Sequence, residues 1–164
     1  MTIHLEYRDA QPYAAIRLQA AIPFSKFLAP AWGEVRAWLE SIGISPCGAP
    51  FIRYFTTDMS AKLDLEVGFP VAAALPHNGH ISTGVIPAGK YAVMMYTGPY
   101  KGKGLFKATV ALLEWAQENH IAWKKSTRDR LEWWEGRLEW YLTDPDQEPD
   151  SKKWQTELAF LVND

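Results

Sequence analysis

The sequence predicts an α+β fold made of two βαββ repeats related by a pseudo-two-fold axis, with one antiparallel sheet arrangement and two long helices. Two observations lead to this prediction. Segments whose apolar residues recur at every second position alternate with segments where they recur every three or four positions, the periods of strands and helices. The order strand, helix, strand, strand also occurs twice, and the two halves align with each other, which indicates an internal duplication.

The first repeat covers residues 13–71. Residues 13–21 alternate loosely and predict a strand that Pro23 ends. An apolar stripe then predicts a helix over residues 24–42, with Ser25 as a candidate N-cap and Gly43 as its stop. Two alternating stretches, residues 51–57 and 62–71, complete the unit.

The second repeat covers residues 91–162, after a Pro- and Gly-containing linker at residues 70–79. Residues 91–97 predict a strand, and the apolar stripe that follows predicts a helix over residues 102–120. Residues 122–134 are charged and aromatic, and we expect a loop or a short helix there. A hairpin over residues 137–162 closes the unit.

Composition narrows the class of protein. The 164 residues are 48% hydrophobic, which suits one domain over residues 1–164. The net charge of −2 comes with scattered cations, so we expect no direct nucleic-acid binding. Cys47 is the single cysteine, and the four histidines show no metal-ligand spacing, so neither a metal nor a cofactor is expected. Without a signal-peptide pattern or a membrane-length apolar run, a cytoplasmic location is expected. Eight Trp favour a pocket for flat ligands.

The closing hairpin carries the candidate site. Its alternation places Leu138 and Trp140 on one, mostly apolar face, and predicts that Glu139, Tyr141 and Glu157 share the opposite face. The alternative is that this second face is a solvated outer surface, as is common in antiparallel sheets.

Aligning the repeats gives each of these residues an equivalent in the first unit. FIRYFTTD matches RLEWYLTD, which sets Arg53 against Glu139 and Phe55 against Tyr141, while LEVGFPV matches TELAFLV and sets Glu66 against Glu157. This alignment predicts an acidic site in the second unit where the first unit has a cation.

The motifs YAVMMYTGPYKG, RLEWYLTDP and KWQTELAFLV resemble the GyrI-like effector-binding family, over about residues 13–162. That family also supplies the ligand-sensing domains of Rob-type and BmrR-type multidrug regulators. The resemblance implies a curved sheet with a central cleft for flat, often cationic compounds, and an acidic residue in the cleft at the position of Glu139. Glu157 occupies the family's other acidic position. No helix-turn-helix segment precedes the domain, so we expect a stand-alone binding domain. The segment 122–134 looks longer and more aromatic than in shorter members.

A carboxylate in an aromatic cleft is suited to binding a ligand cation. We therefore expect Glu139 to bind the cation, although a structural ion pair with Arg53 or Arg137 is the alternative for it. The other expected ligand-binding residues are Tyr141, Glu157, Tyr91, Met95, Phe55, Trp32 and Trp134. Trp133 and Trp134 are also candidates for an aromatic lid.

Some stand-alone members of this family hydrolyse strained cyclopropane-bearing electrophiles, so the resemblance permits a second function. In that case Glu139 or Glu157 would act as a general base, and Tyr141 would donate to the developing oxyanion. We favour binding over hydrolysis, because most of the features above serve a pocket. The resemblance also leaves a regulator protein or gyrase open as a partner, and a homodimer is a further alternative.

Overall fold

The structure is a computed structural model that describes residues 2–58, 60 and 62–164. Ten strands and two α-helices make up the described chain. Their bounds are β1 Ile3–Arg8, β2 Gln11–Ala20, α1 Leu28–Ser41, β3 Phe51–Tyr54, β4 Leu63–Pro70, β5 Ser82–Ile86, β6 Gly89–Thr97, α2 Gly104–Glu118, β7 Lys125–Arg128, β8 Leu131–Trp134, β9 Arg137–Tyr141 and β10 Gln155–Leu161.

Eight strands form one antiparallel sheet in the order β1-β6-β10-β9-β3-β4-β2-β5. The six central strands read β6-β10-β9 on one side and β2-β4-β3 on the other, so the two repeats meet where β3 pairs with β9. The predicted α+β fold of two βαββ units is confirmed. Because the two inner strands are antiparallel, a pseudo-two-fold axis passes between them.

The strand registers define which residues of the two repeats are equivalent. Glu66 lies opposite Arg53, and Glu157 lies opposite Trp140, on matching strands of the two units. Ile52 lies opposite Val67 as Glu139 lies opposite Leu158, so Ile52 is the equivalent of Glu139.

The predicted alignment of β3 on β9 is therefore wrong by one residue. Tyr54, and not Phe55, is the equivalent of Tyr141. Ile52, and not Arg53, is the equivalent of Glu139. A shift of one residue exchanges the two faces of a strand, because successive side chains point to opposite sides. The first unit has an aliphatic residue, and no cation, at the position of Glu139.

Both helices pack on the same face of the sheet. α1 buries Ala31, Val35 and Leu39 against the first repeat, and α2 buries Ala108, Leu112 and Ala116 against the second. The opposite face of the sheet carries its own buried cluster, which includes Tyr13, Phe51, Tyr91, Leu138 and Ala159.

The ends of the first helix differ in part from the prediction. Ser25 opens a short 3-10 turn, and α1 begins only at Leu28, without a side-chain cap. Gly43 ends the helix as predicted, since its φ of 73° is a conformation that glycine adopts without strain.

Four strands lie outside the predicted repeats or replace a predicted element. The expected loop or short helix at residues 122–134 is instead the hairpin β7–β8. β1 pairs with β6 at one edge of the sheet, and β5 pairs with β2 at the other edge. In the described part of the chain, no helix is long and apolar enough to span a membrane.

Candidate functional site

A cleft of about 600 Å3 lies on the helix-bearing face at the centre of the sheet. The segment leading into α1, the first turns of α2, and strands β3 and β9 line it. Most of the lining is aliphatic or aromatic, and Glu139 and Arg137 are its charged residues. The apolar lining residues are Ile22, Pro23, Phe24, Leu28, Ile52, Leu63, Leu105, Phe106, Val110 and Leu113.

Glu139 occupies the centre of one continuous row of side chains that crosses the sheet. Six strands contribute one residue each to this row, and five of the six are apolar. Their order across the sheet is Ile16, Val67, Ile52, Glu139, Leu158 and Met94. Glu139 is 8% exposed and directly faces its own repeat equivalent, Ile52, so the pseudo-two-fold axis passes between these two residues.

Two tyrosines hold the Glu139 carboxylate. The phenols of Tyr54 and Tyr141 both donate to its Oε1, at 2.9 Å and 2.6 Å. Because these tyrosines are repeat equivalents, they approach the carboxylate from the two sides of the axis. Oε2 has no hydrogen-bond partner among the described residues. One carboxylate oxygen is thus anchored, and the other has no protein partner.

Burial governs the electrostatics of this cluster. Burial raises the pKa of Glu139, while the hydrogen bonds from Tyr141 and Tyr54 and the charge of Arg137 act to lower it. The pKa values of Tyr54 and Tyr141 lie well above the ordinary value for tyrosine, first because of burial and then because of the adjacent carboxylate. Both phenols therefore stay protonated at neutral pH and serve as donors.

Aromatic contacts fix the orientation of the two tyrosines. Trp32 and Tyr100 both meet Tyr141 edge-on, with ring centroids 5.4 Å and 5.1 Å away. Trp32 is itself anchored, because its indole N–H donates to backbone carbonyls of β3 and β4. Phe24 packs against Tyr54 in a similar way, at 6.3 Å. Trp32 thus supports Tyr141 from behind and is absent from the cleft lining.

Arg137 is the second charged residue of the cleft. Its guanidinium stacks on the rings of Trp134 and Phe160, each with a centroid 4.6 Å away. Burial lowers the pKa of Arg137, against the opposing effect of Glu139. No ion pair joins Glu139 to Arg137 or Arg53 in the described part of the chain, so the structural pair considered for Glu139 is not formed.

Glu157 lies on the other face of the sheet, and the prediction that it shares a face with Glu139 and Tyr141 is wrong. It pairs in register with Trp140, whereas Glu139 pairs with Leu158. Its carboxylate accepts from Arg8 at 2.8 Å. A separate cavity of about 440 Å3 on that face is lined by Glu157, Trp140 and Tyr91 among others.

Three further predicted residues lie away from the cleft. Phe55 stacks beneath the guanidinium groups of Arg17 and Arg53, at 4.5 Å and 4.8 Å. Met95 pairs in register with Glu157, which places it on the opposite face. Trp134 is only 5% exposed and packs on Phe160, so it belongs to the core beneath Arg137 and does not form a lid.

Sequence reasoning did not place Tyr54, Tyr100 and Arg137 in the site. A repeat alignment shifted by one residue identifies Tyr54 as the equivalent of Tyr141. Strand alternation also indicates Arg137, because it stands two positions before Glu139 and therefore shares its face. Tyr100 lies in the turn before α2, where the sequence carries no comparable signal.

A cleft lined mostly by apolar and aromatic side chains with a few polar groups is typical of a small-molecule site. The chain belongs to the family of GyrI-like small molecule binding domains, which it matches over residues 1–162, and this confirms the resemblance seen in its motifs. Comparison with curated protein sequences gave no match.

Solved structures share the fold. The EcmrR C-terminal domain superposes with a TM-score of 0.76 at 21% identity, over 99% of this chain and 97% of that domain. In the EcmrR–DNA complex the TM-score is 0.79 at 20% identity over 99% of this chain, which spans 57% of that longer protein. SAV2435 bound to tetraphenylphosphonium gives 0.60 at 12% identity, over 99% and 94% of the two chains. A hydrolase from Listeria innocua gives 0.59 at 11% identity, over 99% and 92%.

Proposed function

We propose that this protein binds flat aromatic compounds in the cleft, with a cationic or hydrogen-bond-donating group of the ligand on Glu139. The observation that carries the proposal is the row of side chains across the sheet. In this row Glu139 is a buried carboxylate, whereas its equivalent in the first repeat, Ile52, is aliphatic. A carboxylate is costly to bury, so a position that serves packing alone favours the aliphatic residue.

The cleft offers the contacts that such a ligand needs. The unpartnered Oε2 of Glu139 can accept from a ligand donor, while Oε1 stays held by the two phenols. Aromatic faces such as those of Tyr141 and Phe106 attract cations by about 0.5 to 2 kcal/mol each. SAV2435, which shares the fold, was solved with tetraphenylphosphonium, an aromatic cation.

Titration with a panel of aromatic cations, followed by Trp fluorescence, tests the proposal. We expect quenching, since Trp32 supports the wall that Tyr141 forms. Glu139→Gln should weaken the cations by about tenfold or more, because charge-assisted hydrogen bonds contribute about 1.5 to 3 kcal/mol. Glu157→Gln is the matched control, because it removes a carboxylate from the opposite face. Absence of binding across the panel would refute the proposal.

Hydrolysis of strained cyclopropane-bearing electrophiles is the second candidate, and the raised pKa of Glu139 favours it, because such a carboxylate can act as a general base. Its base would be Glu139 alone, since Glu157 lies on the other face. Incubation with a cyclopropane-bearing alkylator and mass spectrometry of the water adduct tests it. Turnover above the buffer rate that Glu139→Gln abolishes would support hydrolysis, and a rate equal to that of buffer would exclude it for that compound.

A regulator protein and gyrase are the partners that the resemblance leaves open, and a second copy of the chain is a further candidate. Each stays a prediction. Light scattering of the purified protein tests the homodimer, and pull-down with gyrase subunits tests the second partner.

A further inference from the structure

The cleft contains an arginine that the protein itself does not satisfy. The guanidinium of Arg137 lies at the cleft, yet none of its nitrogens donates a hydrogen bond within residues 2–58, 60 and 62–164. Two other arginines of the sheet donate hydrogen bonds: Arg17 donates to Asp64 through two nitrogens at 2.8 Å, and Arg53 donates to Tyr13 and to the Glu135 carbonyl, although its buried Nε has no partner in the described chain. Arg137 is partly buried and lines the cleft, so its free N–H groups are available to an acceptor on a ligand.

Stacking explains why Arg137 does not turn toward Glu139. Its guanidinium plane is held over Trp134 and Phe160, two core residues with 5% and 1% exposure. These rings stabilise the cation through its face, but they leave the N–H groups at its edge without acceptors. The N–H groups at the edge are the ones through which a guanidinium forms a bidentate pair with a carboxylate.

The cleft therefore holds two opposite charges, each with free hydrogen-bonding capacity. Arg137 and Glu139 are two residues apart on one strand, so their Cα atoms are about 7 Å apart and their side chains share a face. Oε2 of Glu139 lacks a donor in the described structure, and the Arg137 edge lacks an acceptor.

We propose that the ligand of this cleft is a zwitterion: a flat aromatic compound that carries an anionic group, bound by Arg137, close to the cationic group that Glu139 binds. This inference rests on the proposed function and specifies its ligand class. A purely cationic compound satisfies Glu139 but leaves Arg137 unpaired and adds a second positive charge beside it. A purely anionic compound pairs with Arg137 but leaves Glu139 without a donor and adds a second negative charge beside it. The zwitterion satisfies both groups.

Rhodamine B and its ethyl ester test the inference directly. Both carry the same flat xanthylium cation, but rhodamine B has a free carboxylate where the ester has none, and each can be followed by its own fluorescence anisotropy. The wild-type protein should bind rhodamine B about tenfold or more tightly than the ester, because one charge-assisted pair is gained. Fluorescein, which keeps the carboxylate and lacks the cation, should bind more weakly than rhodamine B.

Arg137→Gln assigns the preference to its residue. In this variant the ratio of the two affinities should fall to about one, mostly through weaker binding of rhodamine B. Arg128→Gln is the matched control, because Arg128 also stacks on a tryptophan, Trp133 at 4.8 Å, but lies on the exposed strand β7. This control should keep the wild-type ratio.

The outcomes separate the two proposals. If the ester binds as tightly as rhodamine B, or more tightly, the zwitterion inference is overturned while cation binding in the cleft stands. If Arg137→Gln is folded by circular dichroism and keeps the wild-type ratio, Arg137 is not the anion partner and the inference is equally overturned. If neither dye binds, and the aromatic cation panel also fails, both the inference and the proposed function fail.

Discussion

Glu139→Gln should make the protein more stable at neutral pH. Burial raises the pKa of Glu139 in the folded state above its ordinary value. Between the two pKa values the folded state therefore binds more protons than the unfolded state, and stability falls as pH rises through the folded pKa. Above its folded pKa, the wild-type protein bears the cost of an ionised, buried carboxylate. Glutamine keeps an acceptor for Tyr54 and Tyr141 without that charge.

The size of the effect follows from two opposing contributions. Each phenol hydrogen bond to the ionised carboxylate contributes about 1.5 to 3 kcal/mol, whereas a bond to a neutral amide contributes about 1 kcal/mol. The raised pKa means that desolvation exceeds these bonds, and one unit of pKa corresponds to about 1.4 kcal/mol. For a chain of this size, a gain of 1 kcal/mol raises the melting temperature by about 2 to 4 °C. We expect the melting temperature of Glu139→Gln to exceed that of the wild type by an amount of that order.

Thermal and urea unfolding of both proteins, measured across acidic to neutral pH, provide the assay. The difference between variant and wild type should be largest at neutral pH and should shrink as pH falls toward the ordinary pKa of a glutamate. Glu157→Gln serves as the control, because that carboxylate lies on the opposite face with Arg8 and its replacement should bring no gain. A folded Glu139→Gln variant that is less stable than wild type at neutral pH would refute the reasoning, since it would mean that the ionised group stabilises the fold.

Three further results are expected. Tyr54→Phe and Tyr141→Phe should each raise the pKa of Glu139 further, because each removes a donor to its ionised form. In ligand titrations at several pH values, the pH at which cation binding is half lost should therefore move upward. An unchanged midpoint in both variants would contradict the role of the phenols. Glu157→Gln should change the affinity of cleft ligands by less than about twofold in the same titrations, whereas a tenfold loss would place the ligand on the other face. Leu112→Ala should lower the free energy of unfolding by about 2 to 5 kcal/mol in urea, because Leu112 is fully buried between α2 and the sheet; a cost below 1 kcal/mol would show that α2 contributes little to the core.

Local sequence patterns were sufficient for the main elements of the fold. Alternation predicted strands β2, β3, β4, β6, β9 and β10, and helical periodicity predicted α1 and α2, because each period reflects burial of one face of an element. The two short strands β7 and β8 were not predicted from these patterns. β7 and β8 have only four residues each, and all of β7 is exposed, so no apolar alternation marks it.

The composition of the site was also partly determined by the sequence. Glu139 and Tyr141 were predicted from strand alternation together with the family resemblance, and both line the cleft. Glu157 was predicted to lie on the same face because alternation was applied to each strand of the hairpin separately, without the pairing between the two strands. Alternation orders the residues within one strand, but it does not state which residue of the next strand lies opposite.

The sequence by itself determined the two repeats, the strand and helix periods, and the presence of an acidic and phenolic strand. Only the tertiary structure decided the register between strands. That register put Glu139 and Glu157 on opposite faces, made Tyr54 the equivalent of Tyr141, and placed Glu139 opposite Ile52 at the pseudo-two-fold axis. The physical reason is that side chains alternate with a period of two residues, so a shift of a single residue in pairing reverses every side chain and only long-range packing selects between the alternatives.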